Sequence, residues 1–274
     1  MIKKIVIVSL ISSLFYCSSY DDTISTINKY FESHKYELDG IIPVIKKIDD
    51  IENVLPKIVH DNTQDCRIRG VAHYLIAKLK IPNAREILER SLLEDQDVRN
   101  REAAADSLGV LGDPKSITAL KKACEDTDKE GFVRGCALLA LAKLGNRESL
   151  KEGLKMLNDS HPTNNLLGCE IIEELGDETV LNEIEIISKS PKNWNKAYTE
   201  RAICAIKVKT CQMEKQEEML LNIIKNSKYD EVTEWATIKL LKKNKKNASK
   251  IEKIENAMSN NLIQIWIKES KENK

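Results

Sequence analysis

The chain has 274 residues, with 43 Lys and Arg against 43 Asp and Glu, 42% hydrophobic residues, 5% aromatics, 10 Gly and 6 Pro. That length and apolar content support one large domain or one repeat array rather than disorder. Few turn breakers and few aromatics disfavour a sandwich or barrel, and the neutral charge balance argues against bulk electrostatic binding to nucleic acid or anionic lipid.

In chain order, Met1-Ile2-Lys3-Lys4 is followed by an apolar run from Ile5 to Tyr16 and then by Cys17-Ser18-Ser19. A short basic start, roughly 12 apolar residues and small residues after them form the pattern of a secretory signal. The run falls short of the ~20 residues that a spanning helix needs. Two processing routes stay open. Residues 1–19 read as a signal cut after Ser19, whereas Leu14-Phe15-Tyr16-Cys17 resembles a lipoprotein signal ending before Cys17, with Tyr16 where a small residue is the rule. Removing residues 1–16 takes away Lys3 and Lys4 and no acid, so the remainder stays near neutral.

Beyond the signal, residues 20–61 read as divergent N-terminal cap helices. An internal repeat then begins. Ile68-Arg69-Gly70-Val71-Ala72 aligns with Val133-Arg134-Gly135-Cys136-Ala137, and both segments run on to Ala-Lys-Leu. Arg69, Arg101 and Arg134 lie 32 and 33 residues apart. Leu144-Gly145-Asn146 returns as Leu175-Gly176-Asp177, a degenerate copy surrounds Ala202 to Ile206, and Val232-Thr233 with Ala236 and Leu240 continues the series. A period of this size marks a stack of supersecondary units.

Each unit reads as two helices, A then B. In the clearest, helix A runs from about Arg99 to Leu111 with Ala104, Leu108 and Leu111 on one face. Gly112 ends it, Asp113 caps the next helix, and Pro114 suits that helix's first position. Helix B then turns Ile117, Leu120 and Cys124 inward. Small residues recur in the A helices, at Ala72, Ala104, Ala137, Gly168, Ala202 and Ala236, and let neighbouring helices approach. One pair cannot bury its apolar side alone, while stacked pairs share a core. Residues 62–258 are therefore expected to form repeats, with a cap helix and frayed tail over 259–274.

The four His residues, His34, His60, His73 and His161, show no ligand spacing, and no phosphate loop or nucleophile elbow is present. The sequence thus predicts no catalytic residues, no metal and no cofactor. Cys66, Cys124, Cys136, Cys169, Cys204 and Cys211 contain no Cys-x-x-Cys, and several stand where Ala or Leu stand in other repeats, so mostly free thiols are expected. Trp235 falls on a core position, whereas Trp194 lies in a loop and is a candidate partner anchor. Lys242-Lys243-Asn244-Lys245-Lys246-Asn247 reads as a solvated loop.

The repeated pattern resembles the HEAT repeat family, in particular the short HEAT-like units of the phycobilin-lyase type, whose consensus is roughly Asp-x-x-Val-Arg-x-x-Ala-x-x-Ala-Leu-x-x-Leu-Gly-Asp. Residues 62–159 fit it well, 160–258 more loosely. The resemblance implies an all-α, right-handed α-α superhelix of about six to seven helix pairs, with a ladder of Asp65/Arg69, Asp97/Arg101 and Asp128/Arg134 tying adjacent repeats. Asn165, Thr199 and Thr233 replace the Arg later, so the ladder is expected to stop there.

It also implies a curved surface lined by the B helices. On those helices Lys121, Lys122, Lys151 and Lys155 precede Glu178, Glu183 and Glu185, a stripe that suits a protein or peptide of complementary polarity. The leading expectation is a non-catalytic interaction scaffold of the bacterial cell envelope, in the periplasm, envelope-anchored or secreted, meeting the membrane only through a lipid on Cys17. Two rivals stand beside it. One is a bilin-lyase-like or other HEAT-repeat enzyme, which would act on cytoplasmic substrates and so conflicts with the signal. The other is a lipid-anchored structural envelope protein.

Overall fold

The computed structural model describes residues 19–32, 38–125, 132–190 and 196–272. Every regular element among them is helical, with no strand. Residues 1–18, where a signal is expected, lie outside the described residues. The chain divides into two compact units, Met1–Leu144 and Gly145–Lys274. The division falls on Gly145, which takes a left-handed φ of 80°.

Unit 1 opens with α1 (residues 19–32) and a 3-10 turn, Leu38–Ile41, that leads into α2 (Ile42–Ile45). There follow α3 (Ile51–His60), α4 (Cys66–Leu79), α5 (Ala84–Glu94), α6 (Val98–Leu111), α7 (Ile117–Ala123) and α8 (Val133–Lys143). Helices α4, α6 and α8 stack side by side in one layer, and α3, α5 and α7 form the second. Unit 2 contains α9 (Glu148–Leu157), α10 (Pro162–Leu175), α11 (Leu181–Lys189), α12 (Lys196–Thr210), α13 (Gln216–Asn226), α14 (Asp230–Lys243), α15 (Ala248–Ile251), α16 (Glu255–Met258) and α17 (Asn261–Glu272). There α10, α12 and α14 stack in chain order. Within each unit this is the expected all-α, HEAT-like solenoid packing.

The pairing differs from the A-then-B hairpin in one respect. Among the B helices, each A helix packs chiefly on the one before it rather than the one after it: α4 on α3, α6 on α5, α8 on α7, α10 on α9, α12 on α11, α14 on α13. The A-to-B links explain this. Gly112 ends α6 in the left-handed region at φ 73°, Asp113 caps a 3-10 turn through the Lys115 amide at 3.0 Å, and that turn swings the chain away before α7 begins.

The core follows the helical spacing. Ala72, Ala104, Ala137, Ala202 and Ala236 are all fully buried, beside Leu75, Leu108, Leu120, Ile172, Ile206 and Leu240. Each buried Leu or Ile contributes about 1.5–3 kcal/mol. Trp235 is buried as expected, and the loop lysines after α14 are exposed. The six cysteines from Cys66 to Cys211 are free thiols, with Cys136 and Cys169 buried and the others half-buried. α17 continues to Glu272 because Ile263, Ile267 and Ser270 recur on one face and are buried, and Lys271 pairs with Glu252 at 2.5 Å.

α9 and α10 approach backbone to backbone. A Cβ on Gly168 would lie 2.5 Å from the Leu157 nitrogen and 2.6 Å from the Gly153 oxygen, neither of which can rotate aside. Gly168→Ala is therefore expected to lower the unfolding midpoint by an overpacking cost of about 1–3 kcal/mol or more. Gly70→Ala meets only the Ala103 Cβ at 3.7 Å and should be neutral or stabilising through helix propensity, by up to about 1 kcal/mol. Thermal denaturation of both variants checks the contrast; equal midpoints would refute the close-approach account.

Candidate functional site

The polar residues singled out by the repeat pattern occupy the junctions where one helix ends and the next begins. The last four carbonyls of a helix lack intrahelical partners, and inside a stack water cannot supply them all. Asp65 and Asp97 are the N-caps of α4 and α6: Asp65 Oδ1 accepts from the Arg67 amide at 2.8 Å, and Asp97 Oδ1 from the Arg99 amide at 2.9 Å. Asp65 also holds the Arg67 side chain at 3.0 Å.

With Asp65 committed to the cap, Arg69 reaches elsewhere, which corrects the expected Asp65/Arg69 rung. Its Nε donates to the Val59 carbonyl at the end of α3, 2.8 Å away, and its Nη2 forms an ion pair with Asp95, one repeat further on. The side chains are only 4% and 7% exposed. Arg101 donates to the Asp95 carbonyl at 3.1 Å. Asp128 lies outside the described residues, and Arg134 is exposed at the start of α8.

The same job continues in unit 2 without an arginine. Asn165, in the Arg position of α10, donates through Nδ2 to the carbonyls of Met156, Leu157 and Asp159 at 3.1, 3.1 and 2.8 Å. Asp159 Oδ1 accepts from the His161 amide at 2.7 Å, as Asp95 Oδ1 accepts from the Asp97 amide at 2.9 Å and Ser227 Oγ from the Tyr229 amide at 3.2 Å. Thr199 and Thr233 turn their hydroxyls to the carbonyls of Lys196 and Tyr229 on their own helices. Of the three side chains in the Arg position of unit 2, Asn165 alone takes up the carbonyls of the preceding helix end, and the two threonines bond at the starts of their own helices.

Unit 2 carries a second set of cross-links that the repeat pattern does not reveal. Glu173 of α10 accepts from Arg201 Nε of α12 at 2.5 Å and faces Lys239 of α14 at 3.7 Å, so one carboxylate spans three successive A helices. Arg201 also lies 3.7 Å from Glu170. Beside them Cys169 is fully buried, and burial pushes its thiol well above the usual range, so it is inert as a nucleophile.

The expected partner residues fall on outward faces. Lys121 and Lys122 are exposed on α7 of unit 1. In unit 2, Lys151 and Lys155 are exposed on α9, Glu178 on the turn before α11, and Glu183 on α11, with Glu185 half-buried. Lys155 is paired with Glu152 at 2.6 Å, whereas Lys151 and Glu183 make no ion pair with a described residue. Between Glu183 and Lys189, Ile186 is 69% exposed, a feature that alternation of charge in the sequence conceals. Cys17 and Trp194 lie outside the described residues.

Among the described residues, no three His, Cys, Asp or Glu side chains gather as metal ligands would, and no helix is long and apolar enough to cross a membrane. The family model for HEAT repeats matches residues 54–134, from within α3 to the start of α8. The search of curated proteins found no match to the chain.

His73 sits in the Arg69 junction, fully buried, with Nδ1 2.7 Å from the Arg69 carbonyl and Nε2 unpartnered among the described residues. Burial pushes its pKa down to about 4, from an ordinary 6.5. The unfolded chain therefore takes up this proton first as pH falls. The folded state loses stability between pH 6.5 and 4 and recovers none below, a loss of about 3 kcal/mol for a shift of this size. His60 is lowered in the same direction, by burial and by the nearby Arg90 and Arg69 charges. Comparing His73→Phe with the parent chain isolates the effect: chemical denaturation across this range should show the parent falling more steeply, and parallel curves would rule the assignment out.

Proposed function

We propose, from the premise that residues 54–134 are HEAT repeats, that this chain is a non-catalytic helical-repeat scaffold that binds a protein or peptide partner outside the cytoplasm. The observation that carries the binding reading is the outward face of α9 and α11 in unit 2. Lys151 and Glu183 make no ion pair with a described residue and Ile186 is 69% exposed, while the buried Arg69 and Asn165 are committed to helix junctions. An exposed large aliphatic side chain together with uncommitted charges of both signs on the same unit supplies the apolar centre and polar rim that contact surfaces use.

The site of action rests on the sequence alone. The basic start, the apolar Ile5–Tyr16 run and Cys17-Ser18-Ser19 support export, and Leu14-Phe15-Tyr16-Cys17 supports a lipid-anchored form as the second reading. Lipid on Cys17 would hold the scaffold at a membrane surface without any spanning helix, although one chain alone anchors weakly.

Two measurements test this. Metabolic labelling with a fatty acid should mark the parent chain and spare Cys17→Ser if Cys17 carries lipid; an unlabelled parent leaves the soluble exported form. Cross-linking in intact cells should capture an envelope neighbour, and the triple variant Lys151→Glu, Lys155→Glu, Ile186→Ser should lose most of that capture. Surface changes of this kind alter stability by only about 0.5 kcal/mol each. Unchanged capture by the folded variant would overturn the assignment of this face.

A further inference from the structure

Unit 2 holds a surface groove of about 430 Å³ between α13 and the α15 segment. Its floor is Leu221 and Ile254, two partly buried side chains packed on the core around Ile224 and Ile251. Its walls carry Lys225 on one side and Lys250 and Lys253 on the other, with Glu218 as the one lining acid. Lys250 is taken up by an ion pair with Glu217. Lys225 and Lys253 are exposed and make no ion pair with a described residue.

The groove therefore offers an apolar floor between two uncommitted ammonium groups. A free phosphate would use the ammonium groups and leave the floor wet. A nucleic-acid strand calls for a longer track of cations and for aromatic faces on which bases stack, and no aromatic side chain lines the groove. A short peptide with one large apolar side chain flanked by carboxylates matches both features. We propose that this groove docks such an acidic peptide segment, its apolar side chain on Leu221 and Ile254 and its carboxylates toward Lys225 and Lys253. The inference rests on the scaffold reading and supplies the chemistry of one partner. An apolar anchor gives affinity at such a site, and rim charges set orientation and on-rate.

Fluorescence anisotropy on the full chain tests it, with a short fluorescein-labelled peptide of Asp and Glu around one central Leu. The parent chain should bind this peptide in preference to one with Gly in place of Leu and to one with Lys in place of the acids. Added salt should weaken binding, since the rim charges are exposed. Lys225→Glu with Lys253→Glu should weaken it by roughly tenfold or more. The milder Lys225→Gln with Lys253→Gln should weaken it less, and Lys47→Glu, an exposed position in unit 1, should leave it unchanged. Circular dichroism of each variant confirms the fold. Equal binding of the Gly peptide, full displacement by inorganic phosphate, tighter binding of oligothymidylate, or an unchanged affinity in the double Glu variant would each overturn the proposal. Cellular capture through the α9–α11 face is read on the same variants. If the groove fails while that capture persists, this inference alone falls.

Discussion

The end of each B helix must find partners for its carbonyls inside a stack, and the arrangement of the polar residues follows from that. A carbonyl left unpaired in the interior costs about 1–3 kcal/mol, a large share of the stability of a domain. At the end of α13 Asn256 donates to the Ile224 and Ser227 carbonyls, and at the ends of α3 and α9 the chain meets the demand from one register position, four residues after the N-cap of the following A helix. Arg69 fills it with a guanidinium that reaches both Val59 and Asp95, and Asn165 fills it with an amide that reaches three carbonyls of the α9 end. These are different side chains answering one backbone problem. The arginine additionally carries a charge into the core, which is tolerable because Asp95 neutralises it there.

That junction also fixes the spacing of the helices. A side chain as short as Asn can bridge from an A helix to the preceding helix end only if the two backbones are close. In unit 2 they are, because Gly168 and Gly153 face each other across α9 and α10. Where Arg does the bridging, Ala at the inward positions is small enough, as Ala72 and Ala104 show. The choice of bridging residue and the choice of packing residue are thus coupled, and a loss of either would leave the other without a purpose.

Those features that depend on local spacing were legible in the sequence. The 32- and 33-residue intervals between arginines, the Gly-Asp punctuation after α6 and the run of small inward residues translate directly into helices, caps and burial. Gly176 shows the limit of such reading. It matches Gly112 in sequence but sits in extended backbone, at φ −63° and ψ 145°, and its lack of a side chain spares the Ile172 carbonyl, which a Cβ would approach to 2.6 Å. The partner of Arg69 was hidden because Asp95 lies a repeat away, while a nearer Asp65 offered itself and was already used as a cap. The Glu173–Arg201–Lys239 bridge was hidden for the same reason: its members are 28 and 38 residues apart and share no motif.

The division of labour between buried and exposed polar groups bears on function. His73, Arg69, Asp95, Asn165 and Asn247 are buried or nearly so and each makes a hydrogen bond to backbone or an ion pair within its unit. Cys169 is buried and its thiol is held protonated. Groups so committed cannot both hold the helices and turn over a substrate, since a reactive group must be exposed to its reactant and matched to it in pKa. Among the described residues, charges that make no ion pair lie on outward faces: Lys151 and Glu183, with the exposed Ile186, on α9 and α11, and Lys225 and Lys253 over the floor of Leu221 and Ile254. Those places combine an apolar centre with free charge, so selectivity would come from matching both. A partner that satisfied only the charges would be lost as salt rises, and one that satisfied only the apolar centre would bury ammonium or carboxylate groups without partners.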